Sequence, residues 1–174
     1  MSLDQLIGWD ELFSADEIQT RNKIRDFVET RFLPRITEEF ENGTFPKELI
    51  PEMASHHLLG MNIEGHGCAG LGQVTYGLAC HELEYGDSGL RSFVSVHTSL
   101  AMYAIARFGS DEQKSKWLPL MAKGEKIGCF GLTEPDHGSN PGGMTTFARR
   151  DGDDWILEGT KRWVTNGSIA DVMI

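Results

Sequence analysis

The sequence predicts an α+β protein, in which an all-helical N-terminal domain is followed by the start of a β-domain. Two observations predict the helical part: apolar residues recur at helical spacing as far as Met121, and capping boxes begin at Ser14 and Ser110. A third observation predicts strands, because the pattern then changes to short apolar runs separated by glycine-rich turns. We therefore assign the helical domain to residues 1–125 and the β-domain to residues 126–174.

Five helices are expected in the N-terminal domain. Serine capping boxes or prolines mark several starts, glycines mark the ends, and Pro34 should distort the first helix because it lacks an N–H. The fourth helix carries apolar residues nearly all round, which predicts that it is buried. Val74, Leu78 and Leu83 of the third helix should face the core. The expected helices span residues 14–42, 46–59, 73–85, 91–108 and 111–121.

An apolar strand should lead from Cys129 into a glycine-rich loop, and further short strands should follow that loop. Turns are expected at Asp151-Gly152-Asp153-Asp154 and at Asn166-Gly167. The last strand stops in mid-pattern, which would leave an unpaired sheet edge, so we expect the chain to be a fragment. The expected strands after the loop span residues 145–150, 155–158, 162–165 and 171–174.

The composition excludes several classes of function. The chain carries 16 Lys+Arg against 26 Asp+Glu, a net charge of −10, whereas nucleic-acid binding requires a basic surface. No apolar run reaches the roughly 20 residues that span a membrane. The N-terminal segment contains acidic residues and lacks an apolar core, so we expect no secretory signal there. These observations favour the cytoplasm, or the mitochondrial matrix if the source is eukaryotic.

The cysteines and histidines do not predict a metal site. Cys68, Cys80 and Cys129 form no C-x₂-C pair, and the histidines near them lack the spacing of metal ligands. Free thiols suit a reducing compartment. We expect His56-His57 and His66 to be solvated, because no carboxylate or nucleophile stands at a catalytic spacing from them.

The most informative stretch runs from residue 128 to residue 166. Its apolar strand ends at Glu134-Pro135 and opens into a loop with several glycines, which lets backbone N–H groups approach a flat or anionic ligand. Aromatic side chains could pack on a ring system and threonine hydroxyls could donate hydrogen bonds to it. The alternative is an ordinary strand-loop-strand whose aromatic side chains belong to the core. The candidates are the side chains of Phe130, Trp163, Thr133 and Thr165, with the backbone of Leu132, Gly138 and Ser139.

Two segments resemble the flavin-binding signature of the acyl-CoA dehydrogenases: CFGLTEPDHGSN at residues 129–140 and GTKRWVTN at residues 159–166. A third, DSGLRS at residues 87–92, is similar to the glutaryl-CoA dehydrogenase branch. The resemblance covers about residues 13–174. It implies a helical domain and the first part of a β-barrel-like middle domain, with the C-terminal helical bundle absent. It also implies FAD, contacted by Phe130, Leu132, Thr133, Gly138, Ser139, Trp163, Val164 and Thr165, with Ser139 also touching the acyl-CoA.

Arg91 lies at the start of the helix that is expected to be buried, where an unpaired charge would be costly. Its partner within the chain could be Glu84 or Asp87. The resemblance implies a further role, in which Arg91 binds the distal carboxylate of a dicarboxylyl-CoA, with Ser92 assisting and Glu84 nearby. The alternative is an ion pair with a purely structural role.

The resemblance implies that a base removes the α-proton of the thioester while the β-hydrogen passes to the flavin as hydride. In the glutaryl branch, loss of CO₂ then gives crotonyl-CoA, and electrons pass to an electron-transfer flavoprotein. The base belongs to the C-terminal domain of the family, so we expect no catalytic residue in this chain and no activity from it alone. A homotetramer is implied for the full-length form. The alternatives are a short-chain acyl-CoA oxidase and a non-catalytic flavin- or acyl-CoA-binding module.

Overall fold

The computed structural model describes residues 8–174, and the expectations for residues 1–7 lie outside this part of the chain. The described residues form a helical bundle followed by short strands, which confirms the predicted α+β class. No helix among them has the length and apolar character needed to cross a bilayer. The helices are α1 (Ala15–Phe27), α2 (Ile36–Asn42), α3 (Ile50–Ser55), α4 (Gln73–Gly86), α5 (Ser88–Ser95), α6 (Tyr103–Phe108) and α7 (Asp111–Ala122). The strands are β1 (Gly128–Cys129), β2 (Phe147–Asp151), β3 (Asp154–Glu158) and β4 (Val172–Met173).

The first helical run begins at the predicted capping box. Ser14 Oγ accepts the N–H of Glu17 at 3.3 Å, and the Glu17 carboxylate accepts the N–H of Ser14 at 2.8 Å. The irregularity expected at Pro34 is found, but it is spread over a π-helical segment at Val28–Phe32 and a 3₁₀ turn at Leu33–Arg35. Proline cannot donate to the preceding turn, so the hydrogen bonding shifts before the α-helical pattern resumes in α2.

The second expected helix ends earlier than its predicted end before Gly60. The prediction of a helix to residue 59 is wrong, because α3 stops at Ser55 and His57 takes a left-handed φ of 60°. The N–H of His57 bonds to Ala54 O at 2.9 Å and the N–H of Leu58 bonds to Met53 O at 3.1 Å. These two bonds are those of a Schellman cap, with histidine in the position that glycine usually occupies.

The helical core is formed mainly where α1 packs against α4 and α4 packs against α5. Leu78 and Leu83 are buried as expected, but Val74 is 50% exposed, so its predicted inward direction is wrong. A second, smaller cluster joins the end of the helical part to the strands. The largest fully buried side chains include Phe27, Phe32, Met53, Leu83, Phe93, Met102 and Leu118.

The expected helix over residues 91–108 is an interrupted run rather than one helix. It begins at Ser88 after a break of one residue, and a π-helical segment at Val96–Met102 separates α5 from α6. Burial on all sides is also wrong, because Leu100 and Phe108 are 42% and 80% exposed. One side of the run packs on α4 and β1, and these side chains lie outside that contact.

Gly86 lies where α4 approaches the π-helical segment at Val28–Phe32. A Cβ on Gly86 would lie 2.6 Å from Val28 Cγ1, and Val28 is fully buried. We expect Gly86→Ala to lower the free energy of unfolding by about 1–3 kcal/mol through overpacking. The matched control is Gly77→Ala in the same helix, where an added Cβ meets no atom within 4 Å. Gly77→Ala should raise the free energy of unfolding by about 0.4–1 kcal/mol. If chemical denaturation shows the same change in unfolding free energy for both variants, the packing argument is wrong.

The strands form two separate pairs. β1 lies parallel to β4, with Gly128 opposite Val172, and β2 lies antiparallel to β3. The turn predicted between β2 and β3 is confirmed, with Gly152 at a φ of 64°. The strand predicted at residues 162–165 is wrong, since Trp163 has a φ of 58° that no strand ladder accommodates.

His97 and Asp171 join the helical part to the strands. His97 is fully buried in the π-helical segment, and its Nδ1 accepts the N–H of Gly128 at 3.1 Å while Nε2 lies 3.1 Å from Met121 O. The Asp171 carboxylate accepts the N–H of Ile127 at 2.8 Å and pairs with Lys126 at 2.7 Å. These contacts fix β1 against the bundle and so position the loop that follows it.

Candidate functional site

The structure brings the two predicted ligand-binding segments side by side. The N–H of Arg162 donates to Thr133 O at 2.9 Å, and Lys161 Nζ donates to Leu132 O at 3.1 Å. On its other side the first segment is held by β4, since the N–H of Gly131 donates to Ile174 O at 2.8 Å. Leu132 and Thr133 therefore lie beside Lys161 and Arg162, at the start of the Trp163 segment, and neither Phe130–Thr133 nor Trp163–Thr165 is a strand.

Glu134 fixes the start of the glycine-rich loop. Its side chain is 2% exposed, and it accepts the Lys161 ammonium at 2.8 Å and the backbone N–H groups of Thr145 and Thr146 at 2.6 and 2.9 Å. Hydrogen bonding from Lys161 and these donors holds the pKa of Glu134 well below its usual range. Glu134 is therefore a charged structural anchor whose oxygens are already engaged.

Two glycines of the loop after Glu134, Gly138 and Gly143, differ in the space around them. Gly138 and Ser139 are exposed, and a Cβ on Gly138 would meet no atom within 4 Å, so its backbone is open to a ligand. A Cβ on Gly143 would lie 2.7 Å from His137 Nδ1, so a larger residue there would displace the side chains of His137 and Asn140. Asn140 accepts the N–H of Gly143 at 3.1 Å through its backbone carbonyl.

Trp163 is the most exposed aromatic residue of the candidate site. Its side chain is 79% exposed, the Arg162 guanidinium lies 4.5 Å from its ring centroid, and its left-handed backbone is rare for a bulky residue. This exposure argues against the alternative in which the tryptophan belongs to the core. Leu132 is also 41% exposed. Thr165, which carries a hydroxyl group, is exposed two residues after Trp163. An apolar ring surface beside hydroxyl groups fits a flat heteroaromatic ligand.

A cleft of about 440 Å³ separates the Thr165 segment from α5. Thr165 and Asn166 line one side, and Gly89 and Phe93 of α5 line the other. α5 also carries Arg91 and Ser92, which immediately precede Phe93. α5 therefore borders the segment with predicted cofactor residues, although neither Arg91 nor Ser92 lines the cleft itself.

Arg91 is paired with Glu84 rather than Asp87. Arg91 Nε donates to Glu84 Oε2 at 2.6 Å and Nη1 donates to Ser95 Oγ at 3.3 Å. Asp87 instead caps α5, because its carboxylate accepts the N–H groups of the first turn. Hydrogen bonds from Arg91 and Ser88 lower the pKa of Glu84. The Arg91 side chain remains partly exposed, at 36%, and Ser92 beside it is half-buried.

The structure offers no metal site among the described residues. No group of three or more potential ligands occurs in residues 8–174, and the three cysteines are free thiols. His57 and His66 are exposed, as expected, whereas His56 is half-buried.

Sequence reasoning missed two residues that organise the site, Lys161 and Asn166. Lys161 lies between Thr160 and Arg162, so its neighbours in the sequence give no sign that its ammonium is held. The partners of Lys161 are 29 and 27 residues away in the chain, those of Asn166 are 73 and 38 residues away, and no local signal identifies them.

The chain matches two family models. The model described as the acyl-CoA dehydrogenase N-terminal domain matches residues 14–125, and the acyl-CoA dehydrogenase middle-domain model matches residues 129–174. The mitochondrial short-chain specific acyl-CoA dehydrogenase of Bos taurus is 37% identical over 155 residues, which are 88% of this chain and 38% of that protein. An acyl-CoA dehydrogenase of Bacillus subtilis is 36% identical over 162 residues, 92% of this chain and 43% of that protein.

Solved structures agree with these matches. Glutaryl-CoA dehydrogenase from Mycobacterium smegmatis has a TM-score of 0.95 and 59% identity, covering 98% of this chain and 44% of that one. A glutaryl-CoA dehydrogenase of the same organism in complex with FADH₂ has a TM-score of 0.95, 57% identity, and coverage of 97% and 44%. Butyryl-CoA dehydrogenase from Megasphaera elsdenii has a TM-score of 0.86, 34% identity, and coverage of 93% and 44%.

The chain spans about two fifths of the length of these relatives. Its helical part and its first strands correspond to the start of their structures, and both family models agree with that correspondence. The chain therefore belongs to the acyl-CoA dehydrogenase family, of which it comprises the N-terminal helical domain and the beginning of the middle domain.

Proposed function

We propose that the chain is the flavin- and acyl-CoA-binding portion of an FAD-dependent dehydrogenase that oxidises glutaryl-CoA to crotonyl-CoA with loss of CO₂. The observation that carries this proposal is the partly exposed Arg91 side chain, which Glu84 and Ser95 hold on α5, the helix whose Gly89 and Phe93 line the cleft beside Thr165. The identity of 59% with a glutaryl-CoA dehydrogenase, against 34% with a butyryl-CoA dehydrogenase, supports the dicarboxylate substrate.

FAD is the proposed cofactor, and the bound flavin would supply the acceptor for the hydride. Trp163 and Phe130 would pack on the ring system, since the first is exposed and the second half-buried on adjoining segments. Hydroxyl groups of Thr133 and Thr165 would donate to its polar edge, and the open backbone at Gly138 suits the pyrophosphate. Leu132, Val164 and Ser139 would complete the contacts.

Arg91 would bind the distal carboxylate of the substrate. Its Nε donates to Glu84 and its Nη1 donates to Ser95 Oγ, so the carboxylate would bind at Nη2 and at the second hydrogen of Nη1. Ser92 would assist, and Ser139 would contact the CoA portion. Electrons would pass to an electron-transfer flavoprotein, and the full-length protein would be a homotetramer in the cytoplasm or the mitochondrial matrix.

The catalytic base would come from outside these residues. Glu134 is the carboxylate nearest in sequence to the flavin segment, but its oxygens are occupied by Lys161, Thr145 and Thr146. Its pKa is also far below that of a usable base. We therefore propose that the 174-residue chain alone does not turn over substrate.

Turnover of glutaryl-CoA with an artificial electron acceptor tests the proposal. We expect a full-length form to show flavin absorption and turnover, and the 174-residue chain to show no turnover. Measurable turnover by the short chain would refute the assignment of the base. A full-length form without flavin absorption would refute the function as a whole, and peroxide formation under air would favour an oxidase.

A further inference from the structure

The segment from Lys161 to Asn166 is fixed at both ends and strained in the middle. Its left-handed residues are Trp163 and Asn166, with φ angles of 58° and 67°. Asparagine tolerates that conformation, whereas tryptophan does not adopt it without support from its surroundings. The contacts at the two ends supply that support.

The first end is held by Lys161. Its side chain is 16% exposed, and Nζ lies 2.8 Å from Glu134 Oε1 and 3.1 Å from Leu132 O. One ammonium group therefore joins the loop anchor to the backbone of the first candidate flavin segment. The next residue continues the join, since the N–H of Arg162 donates to Thr133 O at 2.9 Å.

The second end is held by Asn166. Its Nδ2 donates to Phe93 O at 3.2 Å and to Gly128 O at 3.3 Å, so one side-chain amide contacts both α5 and β1. A backbone turn supports this position, because the N–H of Gly167 donates to Val164 O at 3.0 Å. The helical part and the sheet therefore both fix where the segment ends.

We propose that Lys161 and Asn166 are positioning residues for the flavin: together they hold the backbone strain that presents the exposed Trp163 indole to the ring system. This inference rests on the proposed FAD site and assigns roles to two residues that do not themselves touch the cofactor. Because Lys161 and Asn166 order residues 161–166 before FAD binds, none of the free energy of FAD binding is needed to order this segment.

FAD affinity of a full-length form tests the inference. Lys161→Met keeps the aliphatic length but removes the ammonium, and Asn166→Gly keeps the left-handed backbone but removes the amide. We expect each variant to weaken FAD binding at least tenfold, measured by quenching of flavin fluorescence in titrations of the FAD-free protein. The bound flavin should also lose part of its visible circular dichroism, which reports a fixed ring orientation.

Lys114→Met is the matched control, since Lys114 pairs with Asp111 within α7 at 3.9 Å and lies outside both flavin segments. It should leave FAD affinity within twofold of the unaltered protein. If the unaltered protein binds FAD and the Lys161 and Asn166 variants bind it equally well, the inference is wrong and the proposed function stands. If the unaltered protein binds no FAD, both are wrong. Loss of FAD only in parallel with loss of helical circular dichroism would also overturn the inference.

Discussion

Arg91→Ala in a full-length form should reduce kcat/KM for glutaryl-CoA at least about 30-fold more than kcat/KM for butyryl-CoA, a difference of about 2 kcal/mol. The reason is the distal carboxylate of glutaryl-CoA, which would lose its charged hydrogen-bond partner. Butyryl-CoA has no such group, so its reaction depends on Arg91 only through the packing of α5.

Two further variants separate charge, geometry and fold. Arg91→Lys keeps the positive charge but loses the planar two-donor edge, so its loss on glutaryl-CoA should be intermediate. Arg149→Ala removes an arginine of similar exposure that bonds Glu158 at 3.1 Å in the β2–β3 hairpin, and it should leave the ratio of the two substrates unchanged. Equal losses of Arg91→Ala on both substrates would instead indicate a structural ion pair with Glu84.

His97 should make the folded state sensitive to acid. Burial lowers the pKa of His97 from 6.5 to about 4, and both ring nitrogens are used in the neutral form. Nδ1 accepts the N–H of Gly128, so Nε2 carries the proton and donates to Met121 O. Protonation of Nδ1 would leave two donors facing each other in the core, which the folded state disfavours.

The sign of the effect follows from which state binds the proton. Between pH 6.5 and pH 4 the unfolded chain protonates this imidazole while the folded chain does not, so stability falls as the pH falls. The contribution is complete above pH 6.5, and about 3 kcal/mol of it is lost by pH 4. Urea denaturation at several pH values in this window measures the slope.

His97→Gln provides the comparison, because glutamine keeps a donor and an acceptor but does not titrate. The difference in unfolding free energy between the two proteins should depend on pH between 4 and 6.5 and be constant above it. A His97 pKa near 6.5 in the folded protein, measured by NMR, would contradict the prediction directly.

The helices were predicted best where their signals are local. Capping boxes at Ser14 and Ser110 fixed two helix starts, since each box is a pair of contacts three residues apart. The end of α3 was predicted wrongly, because a histidine rather than a glycine occupies the left-handed position of its cap. The distortion of the first run was anticipated at Pro34, but not its extent, which depends on packing against α4.

The candidate site was identified from sequence as a set of residues, not as a geometry. From the sequence, Glu84 and Asp87 were equivalent candidates for the partner of Arg91. In the structure Asp87 caps α5, and Glu84 accepts the hydrogen bond from the Arg91 guanidinium. The aromatic residues were expected on two strands, whereas β1 ends at Cys129, before Phe130, and the segment around Trp163 is irregular. The assignment of individual FAD and substrate contacts stays a prediction, as does the domain boundary near residue 125.

The amino-acid sequence by itself determined the α+β class, most helix starts and the residue types available to a ligand, because periodicity and capping act over a few neighbouring residues. Only the tertiary structure decided which groups fix those residues in place. The anchors of the Trp163 segment reach Leu132 and Glu134 through Lys161, and Phe93 through Asn166, across 29, 27 and 73 positions. Contacts over such separations form when α5 and β1 pack together, and no local pattern encodes that packing.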